Sequence, residues 1–290
     1  MPQPGAVLEL FKPVTWFPPM WAFTCGVVSS GRPLSGRWDV LMLGILLVGP
    51  MVCASSQAVN DWFDRHVDAI NEPNRPIPSG RIPGQWGLFI AIAWSAISLV
   101  VGASLGIWAF WATVLAVALS WAYSMPPIRL KLNGWYGNAA VGFSYEGLAW
   151  FTGAAIFVGA LPSTEIILLA VLYSLGAHGI MTLNDFKAIE GDRQLGIRTL
   201  PVQLGPDRAA LVACVVMIVP QLFVSALLFS VDRPSHALII LSLVVGQIAM
   251  MERLLKDPEA EAPWFNGTGV TMSVLGMMVA AVAVRSLGGA

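Results

Sequence analysis

No part of this chain constrains its fold more than 86–124, thirty-nine consecutive residues without one charged side chain. Hydrocarbon offers backbone amides no water, so such a run must satisfy its polar backbone internally, as helix. A bilayer crossing takes about 20 apolar residues. The run is therefore two crossings, and the small residues from Gly102 to Gly106 mark a tight helical hairpin between them. The same criterion gives nine spans in all: 14–30, 40–59, 86–104, 107–123, 137–159, 166–183, 209–231, 237–251 and 267–284. The period-2 alternation of outer-membrane strands is missing. The expected class is an all-α membrane protein, about nine transmembrane helices in one domain over 1–290.

Composition supports this reading and excludes others. At 56% hydrophobic and mean hydropathy +0.71 the chain belongs in lipid, and a net charge of -1 without a basic stripe argues against nucleic acid as a partner. Cys25, Cys53 and Cys214 lie in apolar segments with neither metal nor disulfide spacing, and read as small core residues. The N-terminus has only Lys12 before its first apolar run, so that run reads as a retained first helix, with Pro18 and Pro19 near its start.

Counting flanks alternately through nine spans puts twelve Lys and Arg residues on the N-terminal side and four, Arg32, Arg37, Arg233 and Arg285, on the other. The positive-inside rule then makes the N-terminus cytoplasmic.

Against this apolar background, seven of the 17 acids sit in two short blocks on that same side. The first holds Asn60, Asp61, Asp64 and Asp68, with Arg65 among them, and runs into a loop with Glu72, Arg75 and Arg81. The second holds Asn184, Asp185, Lys187, Glu190, Asp192 and Arg193. Each begins where a span ends. If the helix continues, Asp61, Asp64 and Asp68 share one face at i, i+3 and i+7, and Asp185 and Asp192 share a face of the sixth span's extension. Gathered carboxylates repel unless a cation sits among them, and hard oxygen donors suit Mg²⁺, which takes one or two carboxylates plus phosphate oxygens. Asn60 with the five aspartates is the expected metal set. Asn60, Arg65, Arg75, Arg81, Lys131, Lys187 and Arg193 are the expected contacts of a diphosphate. Prolines 73, 76 and 78 stiffen the Arg75 loop, which reads as a rigid lid or a plain connector. The blocks follow the second and sixth spans, a pattern consistent with two related four-helix halves plus one span.

Ionisable and polar groups inside the spans are costly and face cavities or partners. Tyr145 and Glu146 in the fifth span and His178 in the sixth are the expected contacts of an acceptor substrate.

The strings NDWFDRHVDAINEPNRPIPSGRI (60–82), YSMPPIRLKLNGW (123–135) and NDFKAIEGDRQLGIRTLPVQLG (184–205) resemble the UbiA superfamily of intramembrane prenyltransferases, in its chlorophyll and bacteriochlorophyll synthase branch. The opening TWFPPMWAFTCGVVSSG (15–31) is similar to the bacteriochlorophyll side of that branch. The resemblance implies a helix bundle around a central cavity and Mg²⁺-dependent transfer of a geranylgeranyl or phytyl group from its diphosphate to the propionate of a (bacterio)chlorophyllide. It implies an active site on the cytoplasmic side of an inner or photosynthetic membrane, with pigment-assembly protein partners left open. Asp61, Asp64 and Asp68 match one aspartate motif, and Asp185 and Asp192 the other. Many members of the superfamily carry a further Asp where this chain has Ala188, so Glu190 is a candidate helper. The competing expectations are a quinone or haem prenyltransferase of the same superfamily, an isoprenoid transporter, and a pigment-binding assembly protein.

Overall fold

The structure, a computed structural model, describes residues 1–287. It is helical throughout. The helices are α1 (Pro4–Leu10), α2 (Phe17–Ser29), α3 (Trp38–Leu46), α4 (Ala54–Asn71), α5 (Trp86–Ser104), α6 (Ile107–Ser124), α7 (Gly134–Gly142), α8 (Ala149–Val158), α9 (Thr164–Asp185), α10 (Ile189–Gln194), α11 (Leu200–Leu204), α12 (Pro206–Ser230), α13 (Pro234–Lys256), α14 (Pro258–Gly267) and α15 (Gly269–Val284). The expected hairpin forms between α5 and α6, where Gly106 takes φ 115°, a value closed to residues with a Cβ.

Among the described residues, eight continuous helical stretches are long and apolar enough to cross a membrane. The expected ninth, over 14–30, is shorter: Pro13–Thr15 is a separate 3₁₀ turn, and α2 has only 13 residues, about 20 Å of rise. It still runs from one end of the bundle to the other. Lys12 lies beside Asp61, while Gly31 at the far end sits against the backbone of Arg285. A short helix suffices because α2 is lodged against α8. A Cβ at Gly26 would lie 2.0 Å from the Trp150 carbonyl oxygen, and one at Gly153 would lie 2.2 Å from that of Phe23. Small residues at such a crossing let two backbones meet.

Two spans are not plain α-helix. Between α3 and α4, Leu47–Cys53 is π-helical around Pro50, and between α7 and α8, Phe143–Leu148 is π-helical as well. Pro50 has no amide hydrogen to donate, and its own carbonyl accepts from Trp94 Nε1 at 2.9 Å. Large apolar side chains such as Phe89, Trp111, Phe223 and Val245 stand exposed around the bundle, as lipid-facing residues do. The chain is an integral membrane protein.

The two ends of the bundle differ in charge. At one, Arg37 donates to the carbonyls of Phe157 and Ile156 at 2.8 and 2.9 Å, and Arg233 to that of Ala283 at 3.1 Å, so these cations close helix C-termini. At the other lie both acidic blocks.

Candidate active site

α4 carries the first block out of the apolar run without a break, as the spacing requires, and stops at Asn71, two residues before Pro73. Asp61 and Asp68, seven residues apart, point the same way and are both buried. One cation spans them: Arg75 donates to Asp68 at 3.0 Å and approaches Asp61 at 3.5 Å. Asp61 also accepts from Lys12 at 2.7 Å, while its second oxygen, Oδ2, is buried with no hydrogen-bond partner among the described residues. Asp64, about 60° round the helix from this pair, takes a different set. It accepts from Lys131, from Arg129 at 3.3 Å and from Asn60 at 3.0 Å, and Asn60 also reaches Ser124 at 3.2 Å. Burial pushes the Lys131 ammonium below its ordinary pKa, while the Asp64 carboxylate pulls the other way. The Arg75 contact holds Glu72 below the usual carboxylate range.

The second block departs from expectation. A single helix does not carry both aspartates: α9 ends at Asp185, a 3₁₀ turn covers Phe186–Ala188, and Asp192 sits on the separate α10. The cause is packing. Phe186 and Ile189 are both buried in one apolar cluster, and the tighter turn brings i and i+3 onto one side. Asp185 accepts from Asn138 Nδ2 at 3.1 Å and Asp192 from Thr199 Oγ1 at 3.1 Å. Backbone bonds from Gly134 to Arg198 at 2.8 Å and from Arg198 to Leu132 at 2.9 Å staple the Lys131 loop to the loop after Asp192. The two walls are thereby held at the mouth of one cavity, which Tyr123 lines together with Asn60 and Asn184.

The expected cations divide. Arg75 and Lys131 join the first wall. Arg65 instead folds over the Trp62 ring, 4.1 Å from its centroid, and donates to the Trp62 carbonyl. Arg81 pairs with Glu9, tying α1 to the loop. Arg193 pairs with Glu190 at the exposed rim, where Lys187 is exposed too. Lys12, Arg129, Asn138 and Thr199 were not foreseen as site residues.

Beneath the walls lies a cavity of about 380 Å³. Asn60, Tyr123 and Asn184 line its mouth, and Val48, Ala112 and Thr152 its depth. Both π-helical segments face it. The Tyr145 hydroxyl accepts from Gln57 at 3.1 Å and contacts Cys53 Sγ at 3.2 Å, and Glu146 lines the cavity further in. His178 is not on this lining. It is buried against Trp135, ring centroids 5.7 Å apart, with Nδ1 unpartnered.

A helical bundle of this kind has known counterparts. The UbiA prenyltransferase family profile matches residues 16–281. The chain belongs to the UbiA prenyltransferase family. It is 59% identical to the bacteriochlorophyll synthase 33 kDa chain of Rhodobacter capsulatus, over 98% of this chain and 95% of that one. It is 39% identical to the chloroplastic chlorophyll synthase of Oryza sativa subsp. japonica, over 95% of this chain and 76% of that one. In fold it matches a UbiA homologue of Archaeoglobus fulgidus solved with GPP and Mg²⁺, with TM-score 0.74, 20% identity and coverage of 96% and 99% of the two chains.

Proposed function

We propose that the chain transfers a prenyl group from its diphosphate to the propionate of a (bacterio)chlorophyllide, forming the ester and releasing diphosphate. The observation that carries this is the pairing of two opposed acidic walls, cations interleaved, with an apolar cavity that opens between them. The identity to bacteriochlorophyll and chlorophyll synthases over nearly the whole chain supports the choice of acceptor.

The donor set fits Mg²⁺. Both walls present carboxylate oxygen, one buried oxygen of Asp61 has no partner among the described residues, and none of these groups is a soft sulfur donor. Among the described residues the acids do not form a ready-made cage, because each is turned onto a cation, an amide or a hydroxyl. That suits an ion which draws most of its oxygen ligands from phosphate and water. Asp61, Asp64, Asp68, Asp185 and Asp192, with Asn60, would hold it, and bound Mg²⁺ would neutralise charge building on the departing diphosphate.

The chain's own residues do the rest. Lys12, Arg75, Arg129 and Lys131 stand where they can exchange an aspartate for a phosphate oxygen, since each already lies within bonding distance of the first wall. Lys187 and Arg193, exposed at the rim, draw the anion in by charge. Arg65 and Arg81 already have other partners and serve structure. As the carbon–oxygen bond to diphosphate breaks, the allylic carbon gains positive charge. Leu47, Val48, Ala116 and Leu148 keep water from it, and the Tyr123 and Tyr145 rings offer negative π-faces. A propionate oxygen then forms the new bond. A free carboxyl has pKa about 4, so the acceptor arrives ionised and no general base is needed. Tyr145 and Glu146 are assigned to the acceptor, and His178, away from the lining, to packing. The twelve-to-four charge count supports walls and an N-terminus on the cytoplasmic side, in our reading of an inner or photosynthetic membrane.

The test uses purified protein in detergent with Mg²⁺, geranylgeranyl diphosphate, and bacteriochlorophyllide or chlorophyllide, reading esterified pigment by chromatography. Ester that disappears with EDTA is expected. No ester with either pigment, from folded protein, would sink the assignment of the acceptor.

A further inference from the structure

Behind Glu146, on the side away from the main cavity, lies a separate pocket of about 20 Å³ between α9, α12 and α15. A single water needs roughly 10–15 Å³ of such space and two to four polar partners. Four groups line it in the right polarity. Tyr173 Oη is buried with no partner, its ring fixed by stacking on Trp150 at 5.6 Å. Gln221 Oε1 is likewise buried and unpartnered, because its amide nitrogen is committed to Gln247 at 2.8 Å and to the Met217 carbonyl at 2.8 Å. Ser273 Oγ accepts from Gln247 at 2.9 Å and lies 3.1 Å from the Gln221 amide nitrogen, whose two hydrogens are already used, so its own hydrogen is free to donate. The Glu146 carboxyl has no hydrogen-bond partner among the described residues and lines both this pocket and the main cavity. Gly276 leaves the space open, since a Cβ there would stand 3.2 Å from Tyr173 Oη and 3.6 Å from Gln221 Oε1.

We propose that this pocket is a structural water site that orients Glu146: the water accepts from Tyr173 and Ser273 and donates to Gln221 Oε1 and the Glu146 carboxyl. Two donors and two acceptors complete its tetrahedral set. Tyr173 and Gln221 are then positioning residues for the cavity's deepest polar group, and through it for the acceptor. That last step rests on the function proposed above.

Tyr173→Phe removes one donor and keeps the ring, and Gly276→Ala fills the pocket with a methyl group. Both should raise KM for bacteriochlorophyllide by about 5- to 10-fold, the effect of roughly one hydrogen bond, and leave kcat and the affinity for geranylgeranyl diphosphate unchanged. In a Glu146→Leu background Tyr173→Phe should add nothing, because nothing is left to orient. A KM unmoved by Tyr173→Phe, or moved equally with and without Glu146, overturns the positioning role. A structure of the wild-type protein that resolves ordered solvent should show water within hydrogen-bonding distance of Tyr173 Oη and Gln221 Oε1, and a dry pocket overturns the site. Solvent density judges the site even if the wild type esterifies neither pigment, which separates its failure from that of the proposed acceptor.

Discussion

The two acidic walls look alike in sequence and differ in what holds them. On α4, three aspartates meet four cations: Lys12, Arg75, Arg129 and Lys131. Across the cavity mouth, Asp185 and Asp192 meet only an amide and a hydroxyl among the described residues. A carboxylate paired with a cation can give it up to a phosphate, whereas one held by Asn138 or Thr199 has no positive charge to hand over. On the proposed reaction, the first wall would receive an anion together with metal, and the second would contribute metal ligands alone.

Removal of single carboxylates is the largest lever on that contrast. Asp64→Asn and Asp185→Asn should each lower kcat/KM on the order of 10²- to 10³-fold, the usual scale for losing a charge-stabilising group. Only the Asp64 change also frees two cations, so its KM for prenyl diphosphate should fall or hold while that of Asp185→Asn rises. Equal KM shifts would erase the distinction between the walls. Lys131→Met comes next, with about 10²-fold lost mainly through weaker diphosphate binding; titration of the metal-loaded protein with geranylgeranyl diphosphate reads it directly. Asn138→Ala should cost about 10-fold and raise the Mg²⁺ concentration needed for half-maximal rate, since a partner that orients a ligand usually contributes that much. A Mg²⁺ dependence like that of the wild type would show that Asn138 holds the helix and not the ligand. The smallest effect belongs to Arg81→Ala. Its pair with Glu9 is solvent-screened, and at most a slight drop in unfolding temperature, read by thermal unfolding in detergent, is expected.

These contrasts also show how far the sequence was readable. The hairpin at Gly106 follows from the length of an uncharged run and the α4 wall from helical spacing, and neither needed tertiary knowledge. The break after Asp185 did not, because the burial of Phe186 and Ile189 that tightens the turn depends on α12, α13 and α14 packing around them. Lys12 and Asn138 were invisible for another reason. A lone cation before a first span looks like topology, and an asparagine in a small-residue helix looks like a packing group. Each reaches its aspartate across 49 and 47 residues. Arg65 and Arg81 show the opposite case, since nearness in sequence to Asp64 and Arg75 said nothing of their partners Trp62 and Glu9.

The π-helical segment between α3 and α4 bears on how this wall is aimed. A π turn accommodates one residue more than an α turn does, so everything after it is rotated relative to everything before it by about 100°. α3 anchors against the far end of the bundle, yet Asp61, Asp64 and Asp68 look into the cavity mouth. Were Leu47–Cys53 to wind as plain α-helix with the same number of residues, all three carboxylates would swing more than a quarter turn, with no change to any of them. The orientation of the acidic face is thus written as a matter of chain length, one residue of slack placed twenty ångströms or so upstream of the chemistry it directs.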